Sequence, residues 1–170
     1  PFDDLVNEEE YENILGWHAL TDNFQVYAYN QAHYANYLMF YNNFDSLQRN
    51  MQIYKENGVN FLIDLGQYNN LNETAFNDLR AFLTFKLMWN VNEDVDALMD
   101  RYFVSTFGDA KDDMRALFDS LIERYRLMRN QGVIKKGFEE YDESKTIFTN
   151  DFINSMMDNP ILKKAITKTN

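Results

Sequence analysis

The feature that most constrains this chain is a single strand–helix–strand succession in an otherwise helical sequence. Residues 24–29 alternate in character and include Phe24, Val26, Tyr27 and Tyr29, which predicts a strand. Residues 59–65 are nearly continuous in apolar side chains (Val59, Phe61, Leu62, Ile63, Leu65), as a strand buried on both faces would be. Between them the spacing predicts a helix of about 13 residues. Asp45 is placed to cap it, Gln48 stands at the capping-box position, and Gly58 follows its end. Leu47, Met51 and Tyr54 fall on one face of that helix. A connection of this length joins parallel strands, with a right-handed crossover. Two strands do not make an independent parallel sheet of ordinary size. The expectation is therefore a terminal piece of a larger α/β protein. The first residue is Pro1 rather than Met, which agrees with a processed, trimmed or excised chain.

Everything around this unit reads as helix. Residues 4–15 carry Leu5, Tyr11, Ile14 and Leu15 as an apolar stripe, with Glu8, Glu9 and Glu10 on the wet side and Gly16 as the stop. Residues 74–89 hold Phe76, Leu79, Phe82, Leu83, Leu87 and Met88. Asn92 is the expected cap of a next helix, through Val95, Leu98, Met99, Tyr102 and Phe103, that Gly108 ends. Residues 110–129 repeat the pattern with Met114, Leu117, Phe118, Leu121, Ile122 and Tyr125. Two last helices are expected over 144–157 and 160–167, with Pro160 at a first helical position. The natural division is a βαβ part, residues 1–72, and a helical part, residues 73–170. There is no internal repeat.

Charge and composition limit the partners. Sixteen Lys and Arg against 27 Asp and Glu leave a net charge of −11, which repels a phosphate backbone. Lys135-Lys136 and Lys163-Lys164 are only pairs, so nucleic acid is not an expected partner. Fourteen Phe and 11 Tyr supply a core, which a disordered acidic tail lacks. No apolar run approaches the roughly 20 residues of a membrane span, and no signal peptide is visible. The chain has no cysteine, so disulfides, thiolate zinc sites and cysteine nucleophiles are excluded.

In parallel α/β structures ligand groups gather at the C-terminal ends of the strands. Here those ends offer Tyr29, Asn30, Gln67, Tyr68 and one carboxylate, Asp64. Amides and aromatic rings suit a sugar, which presents hydroxyls at its edge and C–H groups on its faces. Asp64 either caps the next turn or pairs with an arginine, or it serves as acid, base or nucleophile. Glycoside hydrolysis needs two carboxylates. Asp45 is better explained as a cap, and Glu56 lies on the crossover helix away from the strand ends. His18 and His33 are isolated and carry no helical zinc pattern. Asn72-Glu73-Thr74 matches the glycosylation pattern, which is common by chance. No phosphate-cradling glycine loop, nucleophile elbow or calcium loop is present. No cofactor is implied. Trp17 and Trp89 sit in apolar helical contexts and are expected to be core anchors.

One stretch is recognisable. Leu79-Arg80-Ala81-Phe82-Leu83, Lys86-Leu87-Met88-Trp89-Asn90, Asp94-Val95-Asp96-Ala97-Leu98-Met99, Tyr102-Phe103 and Phe107-Gly108-Asp109-Ala110 together resemble the bacterial DUF4838 family. The resemblance extends over about residues 17–128. Val26-Tyr27-Ala28-Tyr29 and residues 61–68 look like its strands, and residues 50–58 like its last barrel helix. That family is placed among glycoside-hydrolase-like (β/α)-barrel proteins. The resemblance thus implies the C-terminal portion of a (β/α)8-type barrel, its last βαβ unit, followed by an α-helical segment. It also implies a carbohydrate partner and a secreted or periplasmic location. Ala28 stands where the family carries a carboxylate, Asp64-Leu65-Gly66 stands for Glu-Gln-Gly, and Val91 replaces a proline. Three readings result. The first is a fragment of a glycoside-hydrolase-like protein, inactive as this chain alone, whose partners are carbohydrate and the rest of the barrel, or another copy through open strand edges. The second is a non-catalytic carbohydrate-binding or cell-surface assembly protein. The third is a helical interaction module over residues 74–157.

Overall fold

A computed structural model describes residues 1, 3–28, 40, 42–65, 75–132, 147–160 and 163. Its elements are α1 (Glu8–His18), β1 (Phe24–Ala28), α2 (Phe44–Glu56), β2 (Val59–Asp64), α3 (Asn77–Trp89), α4 (Val95–Phe107), α5 (Lys111–Asn130) and α6 (Asn150–Met157). Short 3-10 turns precede α1 and α5. The chain divides into two compact units, Pro1–Val95 and Asp96–Asn170. The fold is helix-rich α/β with one small parallel sheet.

The expected strand–helix–strand succession is present. β1 and β2 pair in parallel, with Gln25, Val26, Tyr27 and Ala28 opposite Phe61, Leu62, Ile63 and Asp64. A register irregularity separates the Phe24–Val59 pair from the rest. The 13-residue α2 makes the crossover and turns Phe44, Leu47, Met51, Ile53 and Tyr54 inward. Gly58 ends the turn into β2 with φ 78°, and a Cβ there would lie 2.9 Å from the Asp22 backbone. Only glycine avoids both the left-handed strain and that contact.

The strands depart from expectation. No residue of β2 is fully buried, and of β1 only Ala28 is. Phe61 is 58% and Tyr27 52% exposed. α2 packs against β2 of a sheet that, among the described residues, has two strands.

The start of α2 also differs. The helix begins at Phe44, and the Asn43 side chain makes no capping hydrogen bond. Asp45 lies within the first turn, where its charge suits the helix dipole. Asn42 Oδ1 instead accepts from the Phe44 N–H at 3.1 Å. Gln48 is no capping-box partner, because its amide donates to the Val91 and Glu93 carbonyls at 3.1 and 2.8 Å. It ties α2 to the loop after α3.

α3 packs on α2 through Leu79, Leu83 and Leu87, each inaccessible to solvent. Arg80 is equally buried. Its Nε donates to Asn43 Oδ1 at 2.8 Å, and its guanidinium lies 4.8 Å from the Phe44 ring centre. Phe40 stacks on Phe44 and meets Phe76 edge-on. Phe76 precedes α3 at φ 58°, a conformation costing roughly 1–2 kcal/mol outside glycine.

Trp89 is 92% and Trp17 60% exposed, so neither is a core anchor. The reason is helical phase. Leu79, Leu83 and Leu87 recur every four residues and take the inner face of α3. Phe85 and Trp89, also four apart, share the opposite one. Gly16 does not stop α1 either. The Ala19 N–H bonds to the Leu15 carbonyl at 3.0 Å, and one interior glycine costs a helix only about 1 kcal/mol. Asn92 is not a cap, since α4 starts at Val95, whereas Gly108 does follow the last residue of α4.

The second unit closes a helical core around Phe103, Phe118, Ile122, Tyr125, Met128 and Ile147, all buried. Phe103 packs on Phe107 and Phe118 at centroid distances of 5.6 and 5.8 Å. Arg115 lies between Asp100 and Asp119 at 3.1 Å and Asp96 at 3.7 Å. α6 is capped by Thr149, which accepts from the Phe152 N–H. Of the expected last helix, Pro160 and Lys163 are described and are helical.

Candidate functional site

The end of the sheet is level. The Leu65 N–H donates to the Ala28 carbonyl at 2.9 Å, immediately beyond the Ala28–Asp64 pair. Both strands therefore run out together, and Asp64 is the last residue of β2. Alternation places Leu62 and Asp64 on one face and Phe61 and Ile63 on the other. Asp64 is half-buried. It stands within electrostatic reach of Tyr54, a buried α2 side chain. Burial pushes the Tyr54 phenol well above its ordinary range, and the Asp64 charge adds to the shift. A phenol held neutral beside a carboxylate is a hydrogen-bond donor at any physiological pH.

The other expected site residues, Tyr29, Asn30, Gln67 and Tyr68, lie outside the described residues, as does His33. Ala28, which faces Asp64 across the sheet, is buried and brings no functional group. Among the described residues no group of three His, Asp or Glu side chains could hold a metal ion. His18 Nδ1 is 3.1 Å from Asp22 Oδ1, four residues on, and both side chains are partly exposed although Nδ1 itself is not.

A second concave surface was not legible in the sequence. An open groove of about 680 Å³ runs between α1 and β1. Ile14 and Trp17 form one wall, Phe61 contributes an exposed ring, and Asn13, Asn23 and Gln25 supply amides. Every lining side chain is uncharged. The signal available beforehand was the helical spacing of Asn13, Ile14 and Trp17. Only the fold brings that stripe beside a strand.

No described helix is long and apolar enough to cross a membrane. The family model described as a domain of unknown function, DUF4838, matches residues 1–119. No curated protein and no solved structure matches the chain.

Proposed function

Taking as premise that the chain belongs to the DUF4838 family, we propose that it is part of a glycoside-hydrolase-like barrel protein that binds or acts on carbohydrate. The observation that carries this reading is the level parallel pair Ala28–Asp64 at the end of a βαβ unit. Both segments leaving the sheet emerge at the end where parallel α/β proteins assemble their ligand groups. Asp64 is the carboxylate of that end, and Tyr29, Asn30, Gln67 and Tyr68 follow the strands as its amide and phenol complement. The proposed location, outside the cytoplasm, rests on the family resemblance alone.

One carboxylate does not supply both the acid and the base or nucleophile of glycoside hydrolysis. The chain alone is therefore expected to give no turnover on a panel of aryl glycosides. Hydrolysis that Asp64→Asn abolishes would overturn that statement. Binding is tested separately, by saturation-transfer NMR against neutral oligosaccharides. Weak binding that Asp64→Asn reduces supports the reading. Its absence across the panel removes the carbohydrate part. A non-catalytic variant of the same reading is favoured by Ala28, because a buried methyl group occupies the position facing Asp64. It predicts oligosaccharide binding without hydrolysis even when the rest of a barrel is supplied.

A further inference from the structure

The groove between α1 and β1 is lined by two matched pairs of side chains, each an aromatic ring beside an amide. On α1, Asn13 and Trp17 are four residues apart, so they share one face of the helix, a turn from one another. In the sheet, Gln25 and Phe61 are register partners, so they stand side by side on one face. That face is not the one that carries Leu62 and Asp64. The Gln25–Phe61 pair also comes three residues, about 10 Å, before the Ala28–Asp64 pair. All four side chains are exposed, and none of the four makes a hydrogen bond, ion pair or ring contact with another described residue. Asn23 adds a third amide, whose Oδ1 accepts from Asn60 at 3.1 Å and whose NH2 group remains open.

We propose that this groove is a second carbohydrate-binding site, which holds a neutral glycan chain away from the Asp64 end of the sheet. Its volume of about 680 Å³ lies in the range of small-ligand clefts. A pyranose carries C–H groups on its faces, for the rings of Trp17 and Phe61, and hydroxyls around its edge, for the amides. Each hydroxyl both donates and accepts, as each amide does. A charged ligand is disfavoured, because no charge lines the groove to meet it. A purely apolar ligand would cover the amides and leave them without partners. A proline-rich segment, another occupant of aromatic-lined grooves, has no proline N–H to meet the amide oxygens. The inference rests on the carbohydrate part of the reading above and adds a place for that ligand that Asp64 does not line.

The chain has two tryptophans, so its two indole N–H signals report on two surfaces: Trp17 in the groove, and Trp89, 92% exposed, outside it. The test titrates the whole chain with cellohexaose, xylohexaose and mannohexaose, and with decaproline, under NMR observation. At least one hexasaccharide should move the Trp17 indole and the Gln25 side-chain amide and leave the Trp89 indole in place. Followed at Gln25, Trp17→Ala should weaken that binding at least about tenfold. Trp17→Tyr should weaken it less than about threefold, because Tyr restores a ring. Gln25→Leu, followed at Trp17, should weaken it several-fold, and Asp64→Asn should leave the Trp17 shift unchanged. No Trp17 shift with any of the three saccharides at millimolar concentration overturns the inference. So does an equal shift at Trp89, or a Trp17 shift given by decaproline and by no saccharide. Oligosaccharide binding that Asp64→Asn abolishes and Trp17→Ala leaves intact overturns this site while the reading above stands. Binding with the opposite dependence supports this site and counts against the sheet end.

Discussion

Phe61 and Phe118 are the same side chain in two opposite situations. Phe118, on α5, is 2% exposed and packs against Phe103 in a core that the second unit builds by itself. Phe61, on β2, is 58% exposed and lines the open groove beside α1. The contrast separates self-sufficient packing from packing that is left open. A helix needs only a neighbouring stripe to bury its own, and α4 and α5 provide one another with it. A parallel strand needs partners along both edges and layers on both faces. Among the described residues the first unit supplies each strand with one neighbour strand, and packs α2 against β2.

The most direct way to break this comparison is a pair of truncations. Phe118→Ala should cost about 3–5 kcal/mol in denaturant unfolding, the range for emptying a ring-sized site in a core. Phe61→Ala should cost about 1 kcal/mol or less, as at a surface position. Equal costs would mean that the sheet face is covered in solution.

Tyr54 sharpens the comparison from inside the first unit. Its phenol is held protonated above its ordinary range by burial and by Asp64. With the folded pKa raised, the folded state keeps a proton that the unfolded chain loses. The stabilisation is complete below about pH 10 and declines as pH rises beyond it. The slope from this group is at most about 1.4 kcal/mol per pH unit. Urea melts of the chain and of Tyr54→Phe between pH 9 and about 11 should differ by that slope. Parallel curves would place the phenol in contact with solvent.

The smallest expected effect is at Trp89. Trp89→Ala should leave stability within about 0.5 kcal/mol, because the ring is 92% exposed. A loss of several kcal/mol would show that the outer face of α3 is buried in solution.

These residues also mark how far the sequence could be read. The βαβ unit was legible, because alternation in β1, the apolar run of β2 and Gly58 after α2 are local signals that agree. The helix starts were not. Asn42, Asn43 and Asp45 are all competent caps, and which one acts depends on where Arg80 draws Asn43. Trp89 was misread by residue type, although the spacing of Leu79, Leu83 and Leu87 already carried the correct phase. At the candidate site, the position of Asp64 at a strand end was legible from the pattern alone. Its neighbour Tyr54 was legible only as a core residue, since the approach of a helix side chain to a strand end is tertiary. The groove was legible only as the α1 stripe Asn13, Ile14 and Trp17, since the approach of that stripe to a strand is tertiary.

The close approach of Gly58 to Asp22 divides the first unit into a part that counts residues and a part that does not. At this contact the entry to β1 meets the entry to β2, and the Asn60 amide donates to the Asp22 carbonyl at 3.0 Å to hold them together. The contact acts as an origin from which both strands are measured. One residue inserted between Gly58 and Phe61 would invert every later side chain of β2, trading Leu62 for Phe61 on the face toward α2. One residue inserted after Asp64 would invert nothing in the sheet. Length variation is therefore costly at the start of these strands and cheap at their ends, so the end that carries Asp64 is free to be rebuilt without disturbing the fold that presents it.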